Sequence, residues 1–146
     1  MKLDRNLAYF FVVILLGVSF VGCRPRIDTM AKAEKVFIKM VDKTAAKLDL
    51  NEDQKTRLDR LKLDIHKNFQ EGQTEKREAF VKIKAEGVKE NPDIVEMTSL
   101  LQGSFQDETR RINRAFDLML DYQDTLTEAQ KEKLAQMVSK WVAKWH

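Results

Sequence analysis

The chain has 146 residues, enough for one domain, and only five Gly and two Pro. So few helix breakers among so much Lys, Glu, Gln, Leu and Ala predict an all-α protein. Charged residues make up 34% of the chain but nearly cancel, to a net +3, which argues against a nucleic-acid binder, whose basic residues cluster without acidic neighbours.

The N-terminus has the pattern of a targeting segment. Lys2 and Arg5 precede an apolar run from Leu7 to Val21, and Gly22-Cys23 follows. The run falls short of the ~20 residues needed to span a bilayer, so residues 1–22 are assigned as an export signal. The lone cysteine directly after it resembles a bacterial lipoprotein signal, which implies cleavage before Cys23 and lipid on its sulfur. Phe20 departs from the Leu usual three residues before that Cys. The plainer readings are an ordinary signal peptide or an uncleaved anchor, with Cys23 a spare thiol. Without a second cysteine no intrachain disulfide forms. Each buried methylene of an acyl chain contributes ~0.8 kcal/mol, and more than one chain makes anchoring stable. Arg24 is not the Asp that resembles an inner-membrane retention signal, so the analogy points to the periplasmic leaflet of the outer membrane. Residues 23–30 are then a lipidated cysteine and tether, and 31–146 the folded domain.

The first helix is predicted from Thr29 to about Leu48, with Phe37, Met40, Val41, Thr44 and Leu48 as its buried stripe. Lysines at 32, 35, 39, 43 and 47 fill the other side. A second helix starts after Asn51 and buries Leu58, Leu61, Ile65 and Phe69, a stripe that resumes at Phe80 and Ile83. Gln70 to Ala79 holds almost no large apolar residue. Lys76 sits in the stripe and Gly72 costs ~1 kcal/mol relative to Ala, so a solvated or gently bent middle is expected. Gly87 is the natural terminator.

Asn91-Pro92-Asp93 marks the third start, with Asn91 as cap and Pro92 at the first helical position. This helix runs to about Asp124 with Ile94, Met97, Leu101, Phe105, Ile112, Phe116, Met119 and Tyr122 as its stripe, interrupted by Glu108. The fourth starts at Thr127 and is expected to bury Leu134, Met137, Val138, Trp141 and Trp145. The second helix alone would span ~54 Å at 1.5 Å per residue, against a radius of gyration of ~14 Å for a compact domain of this size. The geometry suggests a thin, elongated hairpin structure that dimerises.

One phrase occurs twice. Leu50-Asn51-Glu52-Asp53-Gln54 recurs as Leu126-Thr127-Glu128-Ala129-Gln130, and the register continues, Leu61 with Met137 and Ile65 with Trp141. Each copy has a capping residue followed three positions later by Gln, the capping-box arrangement, and a Leu before the cap to staple the chain's entry angle. Two such Leu-Thr-x-x-Gln motifs, each opening a helix in a small exported all-α protein, resemble the Spy/CpxP family of periplasmic proteins. The second copy matches fully; the first has Asn51 for Thr. The resemblance covers about Lys35 to Trp145. It implies a dimeric, cradle-shaped helical protein that holds unfolded or misfolded envelope proteins without ATP. CpxP-like members also restrain a sensor kinase, and a third branch adds metal ligands. A lipid anchor departs from the soluble members.

Catalytic chemistry has little support. His66 lies in a charged helix and His146 ends the chain, and no His-Glu-x-x-His, phosphate loop or Cys pair is present. No enzyme activity, cofactor or metal site is therefore expected, and His66 is most simply a surface or dimer-edge residue. Phe80, Ile83, Met97, Leu101 and Phe105 lie on the distal halves of the long helices, where one copy has few elements to cover them. They divide between a client-binding face, which a flexible Met beside Phe and Ile would suit, and dimer packing. Arg110, Arg111 and Arg114 either steer acidic clients or headgroups or form a salt-bridged surface with Asp107, Glu108 and Asp117. A structural envelope lipoprotein is the third functional reading.

Overall fold

A computed structural model describes residues 29–143. The assigned signal, Cys23, the tether to Asp28, Trp145 and His146 lie outside the described residues, as does the side chain of Trp141. Among the described residues the chain forms four helices and no strand: α1 (Thr29–Ala45), α2 (Glu52–Gly87), α3 (Ile94–Gln123) and α4 (Glu128–Val142).

α1 buries Met30, Phe37 and Val41, one face at 3–4 spacing. It stops at Ala45 rather than Leu48 because the chain tightens into i→i−3 bonds, Lys47 N–H to Thr44 O (3.1 Å) and Leu48 N–H to Ala45 O (3.1 Å). Asp49 then takes a left-handed conformation, φ 47°, which its short polar side chain tolerates. This reversal tucks Leu48 into the interior and presents Asn51 as the cap of α2.

α2 is one continuous helix of 36 residues. Leu58, Leu61, Ile65 and Phe69 are buried as predicted, but the expected solvated middle is not found: Gly72 and Lys76 are buried too. A Cβ at Gly72 would lie 3.1 Å from Arg111 Cγ and 3.3 Å from Met30 Sδ. The glycine therefore permits a close crossing of three helices. Lys76 is satisfied by Glu108 of α3, and its Nζ also donates to Thr29 Oγ1 at 2.7 Å. Thr29 in turn donates to Glu108 (2.9 Å). The two polar interruptions predicted on separate helices are the two halves of one ion pair.

The turn between α2 and α3 is closed by Glu86, which pairs with Lys89 and accepts from Asp93 N–H at 2.9 Å. These contacts, Lys89 first, hold its carboxyl below the usual range. The cap of α3 is Asp93, not Asn91. Its Oδ1 accepts from Val95 N–H (2.9 Å) and Glu96 N–H (3.0 Å), which places Pro92 before the cap instead of in the first turn.

α3 returns antiparallel along α2, from Met97 beside Gly87 to Tyr122 beside Gln54. α1 runs antiparallel to α2 as far as Lys76, through Asp42 with Lys62, Glu34 with His66, and Thr29 with Lys76. The core lies where these three helices run together: Met30, Phe37, Val41, Leu58, Leu61, Ile65, Phe69 and Ala115. Phe37 meets Phe69 at 5.5 Å and the edge of Phe116 at 4.9 Å between ring centroids, within the range in which tilted and edge-on aromatic pairs attract. Beyond Lys76 and Glu108 no α1 residue among those described covers the hairpin.

Two expected stripes are only partly buried. On α3 Met97, Ile112, Met119 and Tyr122 are half-buried, the last three against the core, while Ile94, Leu101, Phe105 and Phe116 are exposed; the fully buried residues are Ser104 and Ala115. On α4 no residue from Glu128 to Lys140 is buried; Leu134 and Met137 are partly covered and Val138 is half exposed.

Candidate functional site

The six motif residues come together at one end of the fold. Gln54 N–H donates to Asn51 Oδ1 (2.8 Å) and Asn51 N–H to Gln54 Oε1 (3.1 Å), a complete capping box. Thr127 and Gln130 repeat it, with Thr127 N–H to Gln130 Oε1 at 2.9 Å and Gln130 N–H to Thr127 Oγ1 at 3.3 Å. The two glutamines also bind each other: Gln54 Nε2 donates to Gln130 Oε1 (2.8 Å) and Gln130 Nε2 to Gln54 Oε1 (3.1 Å). Each amide then reaches the turn before the other's helix, Gln54 to Thr125 O (3.0 Å) and Gln130 to Leu48 O (3.0 Å). Leu126 is buried and Leu50 packs against the core. Tyr122 seals the clasp by donating to Gln54 O (3.2 Å), and burial pushes its phenol up. Every hydrogen-bonding position of both amides is used. The clasp is structural, with nothing left over for chemistry.

The predicted binding residues divide. Arg111 is turned inward across α2, where its guanidinium meets Glu75 (2.5 Å) and Glu71 (2.7 Å) while Asn68 Nδ2 donates to its carbonyl (2.7 Å). Glu75 and then Glu71 raise its pKa further. It is therefore a helix-crossing brace and is unavailable to a client. Arg110 is exposed and pairs with Asp107 at 2.9 Å. Phe80 and Ile83 are half-buried on α2, with Lys76 Nζ 6.0 Å from the Phe80 ring centroid. Met97 is half-buried against Gly87.

Leu101 and Phe105 stand open, 37% and 60% exposed. They lie on one open face of α3 with Gln102, Thr109, Arg110, Arg114 and Asp117. Further along the same helix Phe116 is 47% and Leu120 60% exposed. The sequence reading placed Phe116 in the interior and passed over Leu120. The 3–4 spacing that found the stripe says which residues share a face, not whether a neighbour covers it.

His66 Nδ1 lies 2.5 Å from Glu34 Oε1, tying α1 to α2. Among the described residues no three His, Cys, Asp or Glu side chains are grouped to hold a metal, and no helix is long and apolar enough to cross a membrane. No protein-family model, curated protein or solved structure matches the chain.

Proposed function

We propose that this protein is an ATP-independent holdase of the bacterial envelope, which captures unfolded segments on the outer face of α3. The observation that carries this reading is the row Leu101, Phe105, Phe116 and Leu120, left open on one helix and bordered by Arg114, Asp117 and the Asp107-paired Arg110. An apolar row with a charged border suits unfolded chains, which offer scattered apolar and charged side chains but no fixed shape. First contact is then charge-steered and salt-sensitive, and later contact is apolar. Half-buried Met97 at the hairpin tip adds an adaptable neighbour. The apolar run before Cys23 supports export, and lipid on that cysteine would hold the protein at the periplasmic side of the membrane, by analogy the outer one. We take the working unit to be a homodimer, since no third helix among the described residues covers the hairpin beyond Lys76 and Glu108.

The test is light scattering from a denatured client in the presence of protein lacking residues 1–23. Aggregation is suppressed at equimolar dimer, without nucleotide and less at high salt. No suppression overturns the proposal. A single stoichiometric partner in crosslinked membranes, such as a sensor kinase, without general suppression would mark a dedicated regulator instead.

A further inference from the structure

Charge is unevenly divided along the folded chain. Residues 29–48 carry five lysines against Glu34 and Asp42, whereas residues 49–143 carry sixteen basic side chains against nineteen acidic ones. Both acids of α1 are engaged toward α2, Glu34 with His66 and Asp42 with Lys62. What remains on the outside is basic.

At 100° per residue Lys32, Lys35, Lys39 and Lys43 fall within ~80° of arc, centred opposite the face that buries Met30, Phe37 and Val41. All four are exposed. Elsewhere basic side chains commonly meet an acid, as Lys55 does Glu52, Arg57 Asp53 and Lys131 Glu128. Lys35, Lys39, Lys43 and Lys47 have no ion-pair partner among the described residues. Val36, 60% exposed, is the one large apolar side chain beside the row.

We infer that this face of α1 docks flat on an anionic phospholipid surface, with Lys35, Lys39 and Lys43 against the headgroup phosphates. A stripe ~17 Å long on the outermost side of a helix can bring several ammonium groups within one screening length, ~8 Å, of a flat sheet of negative charge at once. A single Val makes the contact peripheral; an inserted helix needs a broad apolar face. The chain's course agrees. Cys23 precedes Thr29 by six residues, at most ~20 Å of extended chain, so an acyl anchor there keeps α1 near the bilayer. That reach rests on the anchor proposed above; the charge argument does not.

Vesicle co-sedimentation of protein lacking residues 1–23 is the test, since the described core lies between Met30 and Leu126 and is untouched by that deletion. Vesicles of phosphatidylglycerol and phosphatidylcholine bind it at low salt and pure phosphatidylcholine does not. At about 1 kcal/mol per surface lysine, Lys35→Glu, Lys39→Glu and Lys43→Glu together weaken binding ~100-fold. Lys67→Glu, Lys82→Glu and Lys84→Glu, with the same net charge on α2, weaken it less than about fivefold. If the first variant loses helicity, the corresponding Gln triple decides, with a loss of at least about tenfold. Equal losses in both triples, binding to neutral vesicles, or retention on duplex DNA without vesicle binding each overturn the assignment. Acylation of Cys23 is read separately, by palmitate incorporation in cells.

Discussion

Gln54 and Gln130 each do three jobs with one amide: closing a capping box, pairing with the other, and fixing the turn before the other's helix. Removing one therefore strands the other in a largely dry site, where an unmet polar group costs about 1–3 kcal/mol. Gln130→Ala is expected to cost about 2–3 kcal/mol in denaturant unfolding, and Gln54→Ala a similar amount. The double variant should lose at least ~1 kcal/mol less than their sum, because the second removal finds its partner gone. Strict additivity would mean the amides do not interact. Thr127→Ala removes only the second cap and should cost ~1 kcal/mol. Tyr122 adds a pH dependence. Burial raises its folded pKa above the ordinary value of ~10, so as pH climbs through that value the unfolded chain loses a proton that the folded one keeps. Stability should fall in that window, and the fall should be smaller in Tyr122→Phe when unfolding is measured from about pH 9 to 11.

At the level of the helices, the crossing at Gly72 decides how the hairpin is built. Lys76, Glu108 and Thr29 meet there in a site that excludes most water. Breaking a buried pair by removing one member leaves an uncompensated charge, whereas replacing both with apolar groups is often near neutral. Lys76→Met is thus expected to lower stability by about 3 kcal/mol, and Lys76→Met with Glu108→Leu by less than about 1 kcal/mol, by calorimetry or denaturant titration. An equal loss in both would mean that an unpaired buried charge is not what the single substitution costs. This crossing also shows where the sequence was legible. Periodicity located all four helices, and the repeated phrase located the starts of α2 and α4, because caps and stripes are local. Periodicity also showed Lys76 and Glu108 as gaps. It could not show that the gaps coincide, since a pairing across 32 positions is a property of the fold. The α3 stripe divides for a related reason: Ile112, Met119 and Tyr122 reach the core that α1 completes, whereas Leu101 and Phe105 lie where no described α1 residue covers the hairpin. Asp93 took the cap from Asn91 because its carboxylate reaches two N–H groups at once.

For the molecule as a whole, the helices sort the surface into regions of different character. α1 faces outward with lysines, α3 with Leu101, Phe105, Phe116 and Leu120, and the two motifs lock the end where α2 and α4 begin. The motifs tie the starts of α2 and α4 together, and the α3 row is where the proposed work is done. Because Leu101 and Phe105 are exposed, changing them to Ser should leave helicity and melting temperature nearly unaltered; surface substitutions usually move stability by no more than ~0.5 kcal/mol. The most direct test of the central claim is therefore suppression of client aggregation by the chain lacking residues 1–23, compared with the same chain carrying Leu101→Ser and Phe105→Ser. The parent should suppress scattering at equimolar dimer and the variant should lose most of that effect while melting at the same temperature. Equal suppression by the two, or none by the parent, would contradict the account.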